Sequence, residues 1–118
     1  MEVRQVLSAG TVLNGQYRIE RVLGVGGFGI TYAAMDIALD VAVAIKEYFP
    51  AEFGTRDASL TVRPVSSQHD GVFQHCLRSF EREAQTLAQF RHPSIVRVLR
   101  VFASNGTLYM VMEFERGQ

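Results

Sequence analysis

The regular hydrophobic pattern begins at residue 17, with three short runs that have strand character. The run at 17–23 leads directly into glycines, and the runs at 30–36 and 41–49 are rich in β-branched and small apolar residues. A short connection containing Asp36 and Asp40 separates the second run from the third. Because such runs bounded by turn residues are typical of strands, the pattern predicts three antiparallel strands joined by tight turns.

The next regular pattern has a helical period. Apolar residues recur at steps of four and three along it, at Phe73, Leu77, Phe80, Ala84 and Leu87. This spacing places them on one face and predicts an amphipathic helix over about residues 71–90. Asp70 is the expected N-cap, and His92-Pro93 ends the helix because proline disfavours a helical residue before it.

Two further strands are predicted at 94–104 and 107–115, since Asn105-Gly106 between them is a strong hairpin signal. Residues 50–71 are polar and have no sustained period, so we expect an irregular insertion there, long enough to suggest a role of its own. Residues 1–16 are expected to be a leader segment. The predicted fold class is therefore α+β, with a five-stranded antiparallel sheet and one long helix.

Composition and charge narrow the class of protein. A chain of 118 residues is long enough for one domain with a real core. Twelve basic and twelve acidic residues leave no net charge, which argues against a nucleic-acid or membrane-surface partner. The start has no apolar signal-peptide core, no run approaches a membrane span, and Cys76 has no second cysteine to pair with. We expect a cytoplasmic location.

The glycine-rich segment 23–31 indicates close approach of a ligand to the backbone. Gly24, Gly26 and Gly29 fit G-x-G-x-x-G, a pattern that a plain hairpin turn or a dinucleotide-binding fold could also produce. Glu47, about 20 residues further on, lies near the place of the ribose-binding acid of that fold. The dinucleotide motif, however, requires a helix after its last glycine, and residues 30–33 are a poor helix start. A loop between two antiparallel strands fits better.

Five motifs together resemble the N-terminal lobe of a protein kinase. They occur in the order "LGVGGFGITY" (23–32), "VAIK" (43–46), Glu83-Ala84-x-x-Leu87, "HPSIV" (92–96) and "LYMVMEFE" (108–115). The chain is most similar to the bacterial branch of eukaryotic-type Ser/Thr kinases, where "IKEYFP" before a long insertion is familiar. The resemblance implies a kinase N-lobe over 17–118, with an insertion at 50–71 and a helix of the αC type.

The resemblance also implies a set of ATP-binding residues. The glycine loop would hold the phosphates, Leu23 and Thr31 would pack on the two sides of the adenine, and Ala44 would lie under it. Thr31 stands where the family usually has valine, which should tune affinity. Met112 would be the gatekeeper, and Glu113 and Glu115 would contribute hinge backbone groups. The implied residues of the loop itself are Gly24, Gly26, Gly27, Phe28 and Gly29.

Lys46 is the implied phosphate-binding lysine, and Glu83 its implied carboxylate partner. Period-two alternation places Ala42, Ala44 and Lys46 on one face of a strand, where two small residues leave room for a flat ligand. A lysine in such a cleft needs a counter-charge, because a buried unpaired charge is costly. Helical geometry leaves Glu81 and Glu83 equivalent, and the resemblance selects Glu83. Leu87 would pack beneath the helix, and His92 would be structural.

The resemblance implies a transferase that uses ATP and Mg²⁺ to phosphorylate protein Ser/Thr hydroxyls. The 118 residues contain neither H-R-D-x-x-x-x-N nor D-F-G, so the metal ligands are expected in a C-lobe and this fragment is expected to be inactive alone. The alternative is a catalytically silent nucleotide-binding or interaction module. His69, His75 and Cys76 have no spacing typical of a metal site. We expect the insertion to order next to the helix and to bias the Lys46–Glu83 contact.

A kinase lobe separated from its C-lobe would expose apolar surface, so we predict that the isolated fragment self-associates, by exchange of its helix or an edge strand. Sedimentation velocity over a range of concentrations tests this. A monomer at the highest concentration would contradict it.

Overall fold

The computed structural model describes residues 5–90, 92–94 and 96–114. Within them an antiparallel six-stranded sheet has the order β1-β2-β3-β4-β8-β7, and β5 and β6 form a separate two-stranded sheet. The strands are β1 (Val12–Leu13), β2 (Tyr17–Val25), β3 (Gly29–Asp36), β4 (Val41–Tyr48), β5 (Gly54–Arg56), β6 (Val62–Pro64), β7 (Val98–Ser104) and β8 (Thr107–Glu113).

One long helix, α1 (Asp70–Ala88), packs on this sheet through its predicted apolar stripe. Phe73, Phe80 and Ala84 are its buried residues. The expected N-cap is wrong: a 3₁₀ turn over Ser67–His69 leads into the helix, so His69 occupies the cap and Asp70 is the first helical residue. A carboxylate there still interacts favourably with the positive end of the helix dipole.

Tyr48 at the end of β4 joins the sheet to α1. Its ring lies 5.4 Å from the ring of Phe73 and 5.7 Å from that of Phe80, measured between centroids. Its hydroxyl donates a hydrogen bond of 2.9 Å to the carbonyl oxygen of Phe73. Burial, and then the neighbouring Cys76 thiol, raise the pKa of Tyr48 above its usual value. This aromatic contact fixes the helix against the strand that carries Lys46.

The five strands predicted from the sequence are all present, although β7 begins at Val98 and not at residue 94, β8 ends at Glu113, and residue 115 lies outside the described residues. Asn105 and Gly106 both have positive φ, 52° and 71°, as the two central residues of a type I′ hairpin turn require. The last glycine of the motif opens β3 and not a helix, which excludes the dinucleotide-binding fold. The α+β class with one long helix is likewise confirmed, although the sheet has six strands and not five.

Two segments are more regular than expected. The leader segment contributes β1 to the edge of the sheet. Leu7 of the same segment is buried in the core, with only 2% of its surface exposed. The insertion is not irregular throughout, because β5 and β6 form a hairpin whose turn is built around the Asp57 carboxylate. The hydroxyl of Ser59, together with backbone amides and Arg63, lowers the pKa of Asp57 to about 2. Short polar strands of three residues give no periodic signal, which is why the pattern missed them.

The insertion is attached to the β7–β8 turn. Val62 donates its backbone N–H to the carbonyl oxygen of Asn105 at 2.7 Å.

In the described part of the chain, no helix is long and apolar enough to cross a membrane.

Gly106 is the position where this attachment tolerates no side chain. A Cβ there would lie 2.8 Å from Thr61 Cγ2 and 2.8 Å from the Val62 carbonyl oxygen, and its φ is +71°. We predict that Gly106→Ala lowers the free energy of unfolding by roughly 1–3 kcal/mol, measured by urea denaturation. Gly71→Ala is the matched control, since a Cβ there meets open space in the first turn of α1. It should be neutral or stabilising by up to about 1 kcal/mol. Equal effects of the two substitutions would contradict the close approach.

Candidate functional site

The glycines between β2 and β3 form a tight turn, here called the glycine hairpin (residues 24–29). The N–H of Gly26 donates to the carbonyl oxygen of Gly29 at 2.9 Å, which closes the turn. Leu23 lies at a register shift between Val22 and Gly24, where β2 departs from regular pairing with β3. Leu23 is 38% exposed at this bulge, a feature over-represented beside active sites.

Gly29 is required by its close packing against the backbone of β4, beside Lys46. A Cβ on Gly29 would lie 2.8 Å from the carbonyl oxygen of Glu47 and 3.2 Å from Lys46 Cε. The aliphatic stem of Lys46 therefore lies directly against the glycine hairpin. At Gly24 and Gly27 a Cβ would meet no atom within 4 Å, so there the open space, and not the protein, faces the backbone.

The sheet register aligns the remaining predicted residues in two adjacent rows on the same face. In one row Thr31 pairs with Lys46, and Lys46 pairs with Met110. In the next row, Ala44 pairs with Ala33 on one side and Met112 on the other. Directly paired residues share one face of a sheet, and residues two apart along a strand do so too. The half-buried Lys46 thus stands beside a shallow floor of alanines.

The structure does not bring Glu83 to Lys46. Glu83 is exposed on α1, and no salt bridge joins these two described residues. The reason is the orientation of the helix: Ala84, the next residue, faces the core, and Glu83 is turned away toward solvent. Leu87, one turn later, packs partly buried against the core.

The hinge residues are only partly described. Glu113 ends β8 in an exposed position, and its N–H donates to the carbonyl oxygen of Arg97 at 3.1 Å. Its side chain makes a loose surface pair of 3.9 Å with Arg97. Glu115 lies outside the described residues.

Sequence reasoning missed a buried carboxylate beside Lys46. Glu47 is 0% exposed, and it was considered only as a ribose-binding acid. Its Oε1 accepts hydrogen bonds from the Tyr32 hydroxyl at 2.9 Å and from Arg56 Nη2 at 2.6 Å. Its Oε2 accepts from the Tyr109 hydroxyl at 2.6 Å and from Arg56 Nη1 at 3.0 Å. We call these residues the Glu47 network: Glu47, Arg56, Tyr32 and Tyr109.

The Glu47 network is electrostatically consistent with a buried carboxylate. Burial, followed by the charge of Glu47, raises the pKa of Tyr32 and of Tyr109 far above the usual value, so both hydroxyls remain donors. Burial by itself would lower the pKa of Arg56, but the hydrogen bonds and charge of Glu47 outweigh it and raise that pKa. The signal in the sequence was a charge at an inward position, since Glu47 follows Val43 and Ile45 on the core face of β4.

Phe49 and the start of the insertion contact the tip of the glycine hairpin. Phe49 donates its N–H to the carbonyl oxygen of Phe28 at 3.0 Å, and Ala51 donates to that of Gly27 at 2.9 Å. The rings of Phe28 and Phe53 meet edge to face, with centroids 6.2 Å apart and an interplanar angle of 65°. Phe28 itself is 58% exposed.

Comparison with known proteins identifies the family and the fold of this chain. The family model for the protein kinase domain matches residues 17–118. "Serine/threonine-protein kinase B" of Synechocystis sp. is 33% identical over 118 residues, covering 99% of this chain and 18% of the relative. "Serine/threonine-protein kinase PrkC" of Bacillus subtilis is 33% identical over 108 residues, covering 92% of this chain and 14% of the relative.

A solved structure has the same fold. The chain superposes on the structure titled "PpkA-294 apo form" with a TM-score of 0.90 and 39% sequence identity, covering 93% of this chain and 39% of that one. The chain thus spans less than a fifth of the two curated relatives and about two fifths of the solved chain.

The Glu47–Arg56 pair generates a stability prediction. We expect Arg56→Ala to lower the free energy of unfolding by about 3–5 kcal/mol, because it leaves the Glu47 carboxylate buried without its cation. The side chains of Arg56 and Glu47 are 4% and 0% exposed, respectively. The double substitution Glu47→Gln with Arg56→Met should recover much of that loss, since no uncompensated charge remains. Urea unfolding of the two variants measures both effects.

Arg63→Ala is the control for this prediction. Arg63 pairs with Asp57 on the same hairpin, but its side chain is 57% exposed. Its loss should cost less than about 1 kcal/mol. An Arg56→Ala effect as small as that of Arg63→Ala would contradict a stabilising role of the Glu47 network.

Proposed function

This chain belongs to the protein kinase family, and we propose that residues 17–118 form the ATP-binding lobe of a Ser/Thr protein kinase. The observation that carries the proposal is the contact of Lys46 with Gly29 at the base of the glycine hairpin. A cation placed under a glycine turn is suited to bind phosphate, because backbone can approach the ligand where side chains are absent. In the complete protein, the reaction is transfer of the ATP γ-phosphate to a Ser or Thr hydroxyl of a protein substrate.

The residues present fit ATP in two parts. The phosphates would lie under the glycine hairpin (24–29) beside Lys46, which neutralises part of their charge. The purine would lie over Ala44, with Leu23 and Thr31 at its sides and Met112 behind it. The side chain of Ala44 is only a methyl group, and its row in the sheet continues in Ala33 and Met112, so this row is apolar. Backbone groups of Glu113 and Glu115 would bond the purine edge.

Phosphoryl transfer demands positioning and charge neutralisation and little covalent work by the protein. Mg²⁺, when bound with ATP, supplies charge neutralisation on the phosphate oxygens. We assign no metal ligand to the described residues and propose that the ligands, like the catalytic aspartate, belong to a C-lobe. Residues 1–118 by themselves would then bind nucleotide weakly and transfer no phosphate.

Glu83 completes the proposal as the partner of Lys46 in the active conformation. In the present structure, which describes both residues, Glu83 is exposed on α1 and makes no salt bridge with Lys46. We infer that the pair forms through a movement of α1 against β4 that turns Glu83 toward Lys46. An ion pair that forms in only one of two conformations biases the equilibrium between them. We propose that activity requires this movement.

Substitutions in the complete kinase test these roles. We predict that Lys46→Met lowers kcat/KM for ATP by at least about 100-fold, because the cation that positions the ATP phosphates and neutralises part of their charge is lost. Glu83→Gln should lower kcat strongly with a smaller effect on nucleotide affinity, since the pair is absent from the present conformation. Steady-state kinetics with a protein substrate and titration with a fluorescent ATP analogue measure the two quantities.

Glu81→Gln is the matched control, because Glu81 is exposed on the same helix two residues earlier. Its activity should be within about twofold of the unsubstituted kinase, as is usual for an exposed side chain without partners in the site. Equal activities of the Glu81 and Glu83 variants would refute the role of Glu83. Unchanged nucleotide affinity and activity in Lys46→Met would refute the proposed function itself.

A further inference from the structure

We propose that residues 49–54, which are Phe49 and the first turn of the insertion, hold the tip of the glycine hairpin in the position required for ATP, with Phe53 as a positioning residue. This inference rests on the proposed function of the hairpin in ATP binding. It assigns to the insertion a different task from the one expected from the sequence, where its predicted target was the contact between Lys46 and Glu83.

The first part of the argument is the hydrogen bonding of the tip. Gly27 and Phe28 form the tip, and both carbonyl oxygens accept N–H groups from the chain that follows β4. The donors are Ala51, at 2.9 Å, and Phe49, at 3.0 Å. The tip of the glycine hairpin is thus hydrogen-bonded to a third segment, in addition to the pairing of β2 with β3.

The second part is the aromatic contact. Phe53 is half-buried and packs against the core, whereas Phe28 is mostly exposed. Their edge-to-face arrangement is one of the favourable geometries for two aromatic rings. Phe53 therefore supplies a fixed surface against which the exposed ring of Phe28 rests.

The third part is the rigidity of the turn that carries Phe53. Gly54 donates its N–H to the carbonyl oxygen of Pro50 at 2.7 Å, and a Cβ on Gly54 would lie 2.9 Å from that oxygen. The carbonyl oxygen of Phe53 accepts the N–H of Val65 at 2.9 Å, across the insertion hairpin. The turn is therefore closed tightly on itself and bonded to the residue that follows β6.

The fourth part is the anchor of the insertion in the core. Arg56, two residues after Gly54, binds Glu47, the neighbour of Lys46 in β4. Its guanidinium carbon also lies 5.1 Å from the centroid of the Phe49 ring. A continuous set of contacts thus leads from the buried carboxylate, through Arg56 and the turn, to the hairpin tip.

A hairpin with glycine at most of its positions loses much conformational entropy when a ligand orders it. Contacts that order the tip beforehand remove part of that cost and increase affinity without touching the ligand. Because the two N–H donors are backbone groups, they survive side-chain substitution. Of the contacts that order the tip, the one made by the ring of Phe53 is therefore the one that a substitution can remove.

The test compares Phe53→Ala with Phe53→Tyr, which keeps the ring, and with Val65→Ala, an exposed apolar residue on the same insertion. In the complete kinase, Phe53→Ala should raise the Kd of a fluorescent ATP analogue and the KM for ATP about two- to tenfold, the equivalent of one aromatic pair. The increase should come from faster dissociation, with kcat within about twofold. Amide hydrogen exchange over residues 24–29 should accelerate without nucleotide. The two control variants, Phe53→Tyr and Val65→Ala, should match the unsubstituted kinase.

Phe28→Ala keeps the proposal falsifiable if Phe53→Ala fails to fold, because Phe28 is exposed and its truncation leaves no cavity. Phe28→Ala should accelerate amide exchange over residues 24–29. If Phe53→Ala folds, the double variant should lose little more affinity than either single variant, since both substitutions remove the same Phe28–Phe53 contact. Unchanged exchange and affinity in either single variant, in a kinase that binds the analogue, would overturn the positioning role alone. Failure of the unsubstituted kinase to bind the analogue would overturn the proposed function and this inference together.

Discussion

The buried carboxylate of Glu47 is the constraint on which the arrangement of this lobe depends. Burial of an ionised group is costly unless it is fully paired, and here both oxygens are satisfied by Arg56, Tyr32 and Tyr109. Those partners come from three different strands, β5, β3 and β8. The requirement to satisfy one charge therefore specifies how the sheet and the insertion meet, immediately beside the lysine of the candidate site.

The sequence predicted those strands and the helix that are long enough to show a periodic hydrophobic pattern. Alternating or β-branched runs predicted β2, β3, β4 and the β7–β8 hairpin, and the steps of three and four predicted α1. The short strands β1, β5 and β6 escaped because two or three residues cannot show a period. Their positions depend on tertiary contacts, such as the bond from Val62 to Asn105, which no local pattern encodes.

The sequence predicted which residues of β4 share a face, but not the position of the helix relative to that face. Strand alternation placed Ala44 and Lys46 on one face of β4, and in the sheet Met112 pairs with Ala44 on that face. The Lys46–Glu83 contact was not predictable in the same way, because it depends on the position of a helix relative to a sheet. Glu47 was hidden for a related reason: a glutamate is expected at the surface unless its cation, Arg56, is known to fold back on it.

The satisfaction of Glu47 by a residue of the insertion has a consequence for cooperativity. Until Arg56 arrives, closing the sheet around the carboxylate would bury an unpaired charge, and until the sheet closes, Arg56 has no partner to hold it. Neither half of the interaction is favourable alone, so docking of the insertion and closure of the core are expected to occur as a single event. The insertion, although it lies outside the main sheet, is therefore part of the same folding unit as the strands that flank it.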